Sequence, residues 1–228
     1  MRPTPTIIGL ILAVAAVVYL GLLLGLSGNW RWVEGWIFGV WWVCLAATVL
    51  VWLLYRDPAL LAERMRMPGT GGESRSDLAI LAGIKVCFLA LIVVPALDAR
   101  YGWTPRLPLW WEVCGGILLL GGSVPFVRAF TDNTYASQLV RIQTERGQRV
   151  IDTGVYGFVR HPMYRGGGLM FIGGALLLGS ISGLLLSLVM FGLLVVRIFI
   201  EESLLARHLE GYKEYLQMVR YRLVPRVW

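Results

Sequence analysis

Tyr156-Gly157-Phe158-Val159-Arg160-His161-Pro162-Met163-Tyr164 opens a stretch whose two apolar runs, 163–180 and 182–200, are separated only by a Gly/Ser turn and close on Arg197 and Glu201-Glu202. Pro162 disfavours α geometry at His161 and suits the first position of a helix. The stretch therefore reads as a helix that begins at Pro162, turns near Ile181 and returns as a second helix. Such a hairpin brings Arg197 and Glu201 back to the level of His161. Ionisable groups at the edge of a bilayer are costly to desolvate and usually serve a site, so these residues carry most of the functional information.

Working outward, the whole chain has a membrane composition. Of its 228 residues 57% are hydrophobic and only 15% charged, with a mean hydropathy of +0.67. A soluble domain carries about 25% charged residues. Further apolar runs cover 6–26, 33–54, 78–97 and 109–127. Most approach the roughly 20 residues an α-helix needs to cross a bilayer. The run 163–180 is short and rich in glycine, and is expected to tilt or insert only in part. Continuous rather than alternating apolarity excludes a β-barrel. Arg2 precedes the first run, but its apolar core exceeds the roughly 7–15 residues of a signal peptide and no A-x-A site follows, so a retained helix is expected.

Charge sets the orientation. Segment 56–77 holds four arginines, 128–165 holds six, and the tail beyond Glu201 holds five Lys/Arg. Segment 27–32 has one, 98–108 has two, and the turn around Ile181 has none. The positive-inside rule reads the rich loops as cytoplasmic and the poor ones as external. The expected fold class is thus all-α: a polytopic integral membrane helical bundle of about six segments, the last two a hairpin, with both termini and a C-terminal cap in the cytosol. Residues 1–127 read as a four-helix scaffold, and 128–228 as the catalytic region.

Several classes drop out. Cys44, Cys87 and Cys114 lie in different apolar runs, form no C-x-x-C pair, and read as small buried packing residues. With His161 and His208 the only histidines, no metal site is expected. Arginines flanking membrane helices account for the net charge of +7, so no nucleic-acid partner is read from it. Trp30, Trp32, Trp36, Trp41 and Trp42, with Trp103, Trp110 and Trp111, fall on the external side and read as interface anchors. Lys85 can snorkel, and Glu112 lies near an external end. Segment 67–72 resembles a phosphate-binding glycine loop only superficially, because no Gly-Lys-Ser/Thr follows, and reads as a linker.

The chemistry gathers at one end of the hairpin. Arg197 and Glu201 are four residues apart and share a helix face, where they can form a salt bridge or serve a ligand. A helix N-terminus attracts carboxylate or phosphate, and an acidic residue accepts hydrogen bonds from an amine or a ribose. The pattern Gly154-Val155-Tyr156-x₃-Arg160-His161-Pro162-Met163-Tyr164, Arg197-x₃-Glu201-Glu202-x₂-Leu205, Gly211-Tyr212-x₂-Tyr215 and a basic tail with Pro225 resembles the isoprenylcysteine carboxyl methyltransferase family over about residues 128–228. That group also includes phospholipid N-methyltransferases and, more remotely, membrane sterol reductases.

The resemblance implies S-adenosyl-L-methionine as methyl donor, in a cytosol-facing pocket capped by the C-terminal region. His161, Pro162, Met163 and Tyr164 would line it, with Tyr156 beside them. Gln148, Arg149, Val150 and Ile151 match a donor-contacting stretch, and Gln143 a further contact. Glu201 corresponds to a donor-contacting acid, Arg197 to the arginine near the substrate carboxylate, and Glu202 continues the acidic motif. Arg197 and Glu201 are the expected catalytic pair, and Arg197 and Glu202 the substrate side. The expected partner is a lipophilic small-molecule or lipid-anchored acceptor within the bilayer. The compact length resembles bacterial or archaeal relatives, which implies a cell inner membrane. A NADPH-dependent membrane reductase of related fold and a non-catalytic binding module are the alternatives.

Overall fold

A computed structural model of the chain describes residues 5–70 and 73–228. Gly71 and Gly72 of the expected linker, and Arg2 before the first run, lie outside the described residues. The described residues form eight α-helices and no strand: α1 Pro5–Ser27, α2 Val33–Arg56, α3 Pro58–Arg64, α4 Arg75–Tyr101, α5 Leu109–Asp132, α6 Pro162–Leu177, α7 Ile181–His208 and α8 Tyr212–Met218. Helices α1, α2, α4, α5 and α7 are long and apolar enough to cross a membrane. Their outward faces stay apolar where no protein covers them, as at Leu10, Val17, Val86, Leu120 and Leu185. So extensive an exposed apolar surface belongs in lipid rather than water. The protein is an integral membrane helical bundle.

Helix α6 is the short arm of the hairpin. Its 16 residues span about 24 Å, less than the roughly 30 Å hydrocarbon core. Its glycines explain how it packs. Gly166 and Gly173 of α6 face Gly122 and Gly115 of α5 so closely that a Cβ on Gly122 would stand 2.7 Å from the Gly166 carbonyl oxygen, and one on Gly173 2.6 Å from the Leu119 nitrogen. Small residues let membrane helices meet backbone to backbone, where dispersion supplies the attraction that water cannot. The glycines of this short segment, expected to tilt or insert only in part, thus serve close packing on α5. Helix α7 packs on α4 and α6, while α1 packs on α2 and α4.

Two hinges between helices are written in local sequence. Asp57 ends α2 and caps α3: its carboxylate accepts from the Leu60 amide at 2.9 Å, with Pro58 at the first helical position. That Asp-Pro pair is a start signal, and it seats Leu60 against Phe130. Ser180 opens α7 by accepting from the Gly183 amide at 2.9 Å. Near the same end, Asp98 of α4 accepts from the Thr104 amide and hydroxyl, both at 2.7 Å, and from the Ser180 and Ser182 hydroxyls, both at 2.5 Å.

Two expectations need correction. Only Cys87 is buried; Cys44 and Cys114 face outward, where a polarizable thiol suits lipid. Trp32 is 8% exposed and packs in the core with Leu23, Leu24, Ala96 and Leu178, because Gly35 leaves room for its ring. Trp30, Trp36, Trp103 and Trp110 are exposed as interface anchors should be. Trp41 and Trp42 belong to a ladder of rings running through Phe38 and Phe88 to Phe171 of α6.

Candidate functional site

Pro162 starts α6 as expected, and His161 before it takes φ −125° and ψ 62°, outside the helical region. The C-terminal segment fixes this corner. The Arg160 and His161 amides donate to the Tyr221 and Arg222 carbonyls, each at 2.9 Å. The Arg160 guanidinium donates to the Val219 and Arg220 carbonyls at 2.8 and 2.9 Å, and through Nε to Glu202 of α7 at 2.7 Å. Glu202 also meets His161 Nε2 at 3.2 Å and Arg222 Nε at 2.9 Å. One buried carboxylate thus ties α6, α7 and the tail together. His161 then stacks on Tyr164 with ring centroids 5.5 Å apart, and the Tyr164 hydroxyl donates to Glu201 Oε2 at 2.7 Å.

The opposite wall is the irregular segment 133–151, which holds a 3₁₀ turn at Thr144–Arg146. Arg141 anchors it to α3 by donating to both Glu63 oxygens at 2.7 Å, and it also pairs with Glu145. The Arg141 hydrogen bonds hold the Glu63 carboxyl below its usual range and bring Glu145 down to about 2. Arg64 donates to the Ala136 carbonyl at 2.9 Å and lies over Phe130, and burial lowers its guanidinium to about 10. Gln143 is 1% exposed and is held inside its own loop by Tyr135, Arg146 and Gln148.

Between the walls, a 3₁₀ turn at Gly154–Gly157 brings in Tyr156. Gly154 is required there, since its φ is +58° and a Cβ would stand 2.1 Å from Asp132 Oδ2. That Asp132 oxygen accepts from the Val155 amide at 3.0 Å. Tyr156 donates to the Ala129 carbonyl at 3.3 Å, and Tyr215 of α8 donates to the Tyr156 carbonyl at 2.8 Å. Burial pushes both phenols up, so they stay neutral donors at physiological pH.

The result is an open cleft between these walls. Gln143, Gln148, Arg149, Val150, Ile151, Tyr156, His161, Pro162, Met163, Tyr164 and Glu201 all line it. Segments far apart in sequence therefore converge on one space. Among the described residues Glu201 keeps its second oxygen free of hydrogen bonds and exposed Arg149 makes no ion pair, so the cleft offers an acceptor and a cation to a ligand.

Arg197 and Glu202 do not line this cleft. Of the two roles open to Arg197 and Glu201, a mutual salt bridge is not made among the described residues: Arg197 Nε donates to Asp77 of α4 at 3.1 Å, and another of its nitrogens donates to the Gln138 carbonyl. Tyr212 and Tyr215 of α8 line the cleft without having been assigned to it. Their spacing of three places both on one helix face, a legible signal. Asp77 was not among the expected site residues, since in sequence it only closes the arginine-rich segment 56–77. Ser74 accepts from the Asp77 amide at 3.1 Å, and the Asp77 carboxylate turns to Arg197.

Comparison with known proteins now bears on this arrangement. A family model for phospholipid methyltransferase matches residues 110–211, the stretch from α5 to the end of α7. It begins earlier than the resemblance at 128 and stops before α8. Protein-S-isoprenylcysteine O-methyltransferase B of Arabidopsis thaliana is 27% identical over 144 residues, covering 62% of this chain and 70% of that protein. Residues 110–211 are thus similar to phospholipid methyltransferases, and the chain is similar to an isoprenylcysteine O-methyltransferase.

Proposed function

We propose that this protein methylates a lipophilic acceptor, the carboxylate of an isoprenylcysteine-like molecule, with S-adenosylmethionine as donor. The reading rests chiefly on one observation: every residue named for the donor lines a single cleft. The donor set fits an amphiphilic molecule. Val150, Ile151, Pro162 and Leu205 offer apolar surface, the free Glu201 oxygen suits ribose hydroxyls or an amine, and Arg149 suits a carboxylate. When bound, S-adenosylmethionine supplies a methyl group on a cationic sulfur, already activated for transfer.

The protein's own contribution is placement. Glu202 fixes the corner at His161, Tyr164 orients Glu201, and α8 covers the cleft with Tyr212 and Tyr215. An acceptor carboxylate is ionised at neutral pH. Its oxygen forms the new O–C bond as the S–C bond breaks, the sulfur keeps the electron pair, and no proton moves. Such a reaction is accelerated by in-line positioning and water exclusion, with no general base. The same reading splits the chain into a scaffold, 1–127, and a catalytic region, 128–228. It opens the cleft to the cytoplasm, with both termini on that side of the membrane.

The deciding measurement is a calorimetric titration with S-adenosylmethionine, S-adenosylhomocysteine and NADPH. Binding of the first two and not the third is expected. NADPH binding alone would establish the reductase alternative, and binding of none would establish a non-catalytic module.

A further inference from the structure

A second groove lies beside the donor cleft, along the outer side of α7. Val196, Phe199 and Ile200 line its apolar half, and Ser203, Arg207 and His208 its polar half. Residues spaced by three and four share a helix face, so Val196, Phe199, Ser203 and Arg207 form one stripe. At 1.5 Å per residue that stripe runs about 17 Å from Val196 to Arg207. Val196 and Phe199 are 48% and 51% exposed, as side chains that face lipid are. Arg207 and His208 are exposed in the last turn of the helix. The groove therefore crosses from the hydrocarbon layer into the headgroup layer.

Its walls are built by three parts of the chain. Phe199 is backed by the ring of Trp228 at 6.0 Å, and the Arg222 guanidinium lies 5.1 Å over it. Ser74 and Ser76, at the start of α4, add hydroxyls whose oxygens are 3.0 Å apart. One of these hydroxyls donates to the other, which leaves the second proton for a ligand. Among the described residues Ser203 makes no side-chain hydrogen bond and Arg207 no ion pair. No described acid lines the groove, and neighbouring Asp77 is paired with Arg197. A cation and hydroxyl donors thus stand at the head of an apolar channel with nothing to repel an anion. A guanidinium meets phosphate oxygens by paired hydrogen bonds. A basic pocket at the edge of membrane helices suits an anionic headgroup.

We propose that this groove seats one anionic phospholipid of the surrounding bilayer. Its phosphate rests on Arg207, Ser203 and the Ser74–Ser76 pair, and an acyl chain lies along Val196, Phe199 and Ile200. The lipid is a resident ligand and not the methyl acceptor. Val140 and Leu204 line both the groove and the donor cleft, so they form the shared wall, and the lipid braces that wall from outside. The seat does not depend on the methyl-transfer reading.

Native mass spectrometry of the full chain released from detergent micelles counts bound lipid directly. Phosphatidylglycerol and phosphatidylcholine with the same acyl chains are titrated in separate arms, with glycerol 3-phosphate as the chain-free headgroup. One phosphatidylglycerol should bind about fivefold more tightly than phosphatidylcholine, the effect of one basic residue facing a net negative headgroup. Arg207→Gln should remove that preference. Arg56→Gln makes the same charge change at the end of α2, outside the groove, and should leave the preference within about twofold. Ser203→Phe keeps every charge but fills the groove where headgroup meets chain, and should remove the preference as fully as Arg207→Gln. No preference in the parent protein overturns the seat. Equal losses in the two arginine variants, or an unchanged preference in Ser203→Phe, would show a general attraction to a basic surface and overturn it too. Glycerol 3-phosphate binding as tightly as the lipid would make the groove a soluble phosphate site and likewise reject the lipid. Should Ser203→Phe fail to fold, the two arginine variants decide alone.

Discussion

Glu201 and Glu202 are neighbours in sequence and opposites in role. About 100° separates successive residues on a helix, so only one can face the cleft. Glu201 does, with one oxygen on Tyr164 and one free, while Glu202 turns behind the corner to Arg160, His161 and Arg222. Removing one member of a buried ion pair leaves an uncompensated charge that costs about 3–5 kcal/mol. Glu202→Ala should therefore destabilise the protein by about that amount in thermal or denaturant melts. Glu201→Gln should melt within about 1 kcal/mol of the parent protein yet bind S-adenosylmethionine more weakly. Equal melting losses for the two variants would refute the division of labour. Sequence showed that acids return to the level of His161 but not which acid turns which way. The same limit explains Arg197: spacing of four suggested Glu201, and Asp77, 120 residues distant, is its partner.

Packing between elements depends on which glycine sits where. Gly121 and Gly122 are adjacent in α5, but a Cβ on Gly121 meets nothing within 4 Å, whereas one on Gly122 meets the Gly166 carbonyl oxygen at 2.7 Å. Gly121→Ala should raise stability by up to about 1 kcal/mol through helix propensity. Gly122→Ala should lower it by about 1–3 kcal/mol because backbone must move. Opposite shifts in melting temperature test the close approach of α5 and α6, and shifts of the same sign would contradict it. The seven-residue spacing of Gly115 with Gly122, and of Gly166 with Gly173, was legible in the sequence; the face each pair presents was not. The cleft's outer wall carries a different dependence. Glu63 is held below its ordinary pKa by Arg141, so its contribution is present above the unfolded value of about 4.3 and lost as pH falls through the folded one. Melting temperature should drop between about pH 5 and pH 3, and Arg141→Gln should flatten that slope.

At the scale of the whole molecule, polar clusters sit at both ends of an apolar bundle. Asp98 gathers Thr104, Ser180 and Ser182 where the loops are poor in arginine. At the other end Gln138 donates to the Arg64 and Arg66 carbonyls at 2.6 and 3.3 Å, which ties the cleft wall to the chain just before Met67. A label at residue 67 therefore reports the side on which the cleft opens. Apolar length and loop charge made the bundle and its expected orientation readable, since both are properties of single segments. The site was readable only as motifs, because its walls come from segments brought together by folding. Met67 is 75% exposed and Trp103 56% exposed, and neither supports a polar cluster, unlike Ser74, which caps α4, and Thr104, which binds Asp98. With Cys44, Cys87 and Cys114 replaced, a membrane-impermeant thiol reagent outside intact cells should label Trp103→Cys and spare Met67→Cys until the membrane is permeabilised. The reverse pattern would open the cleft to the exterior, away from the cytoplasmic pool of S-adenosylmethionine, and the proposed reaction would have no donor supply.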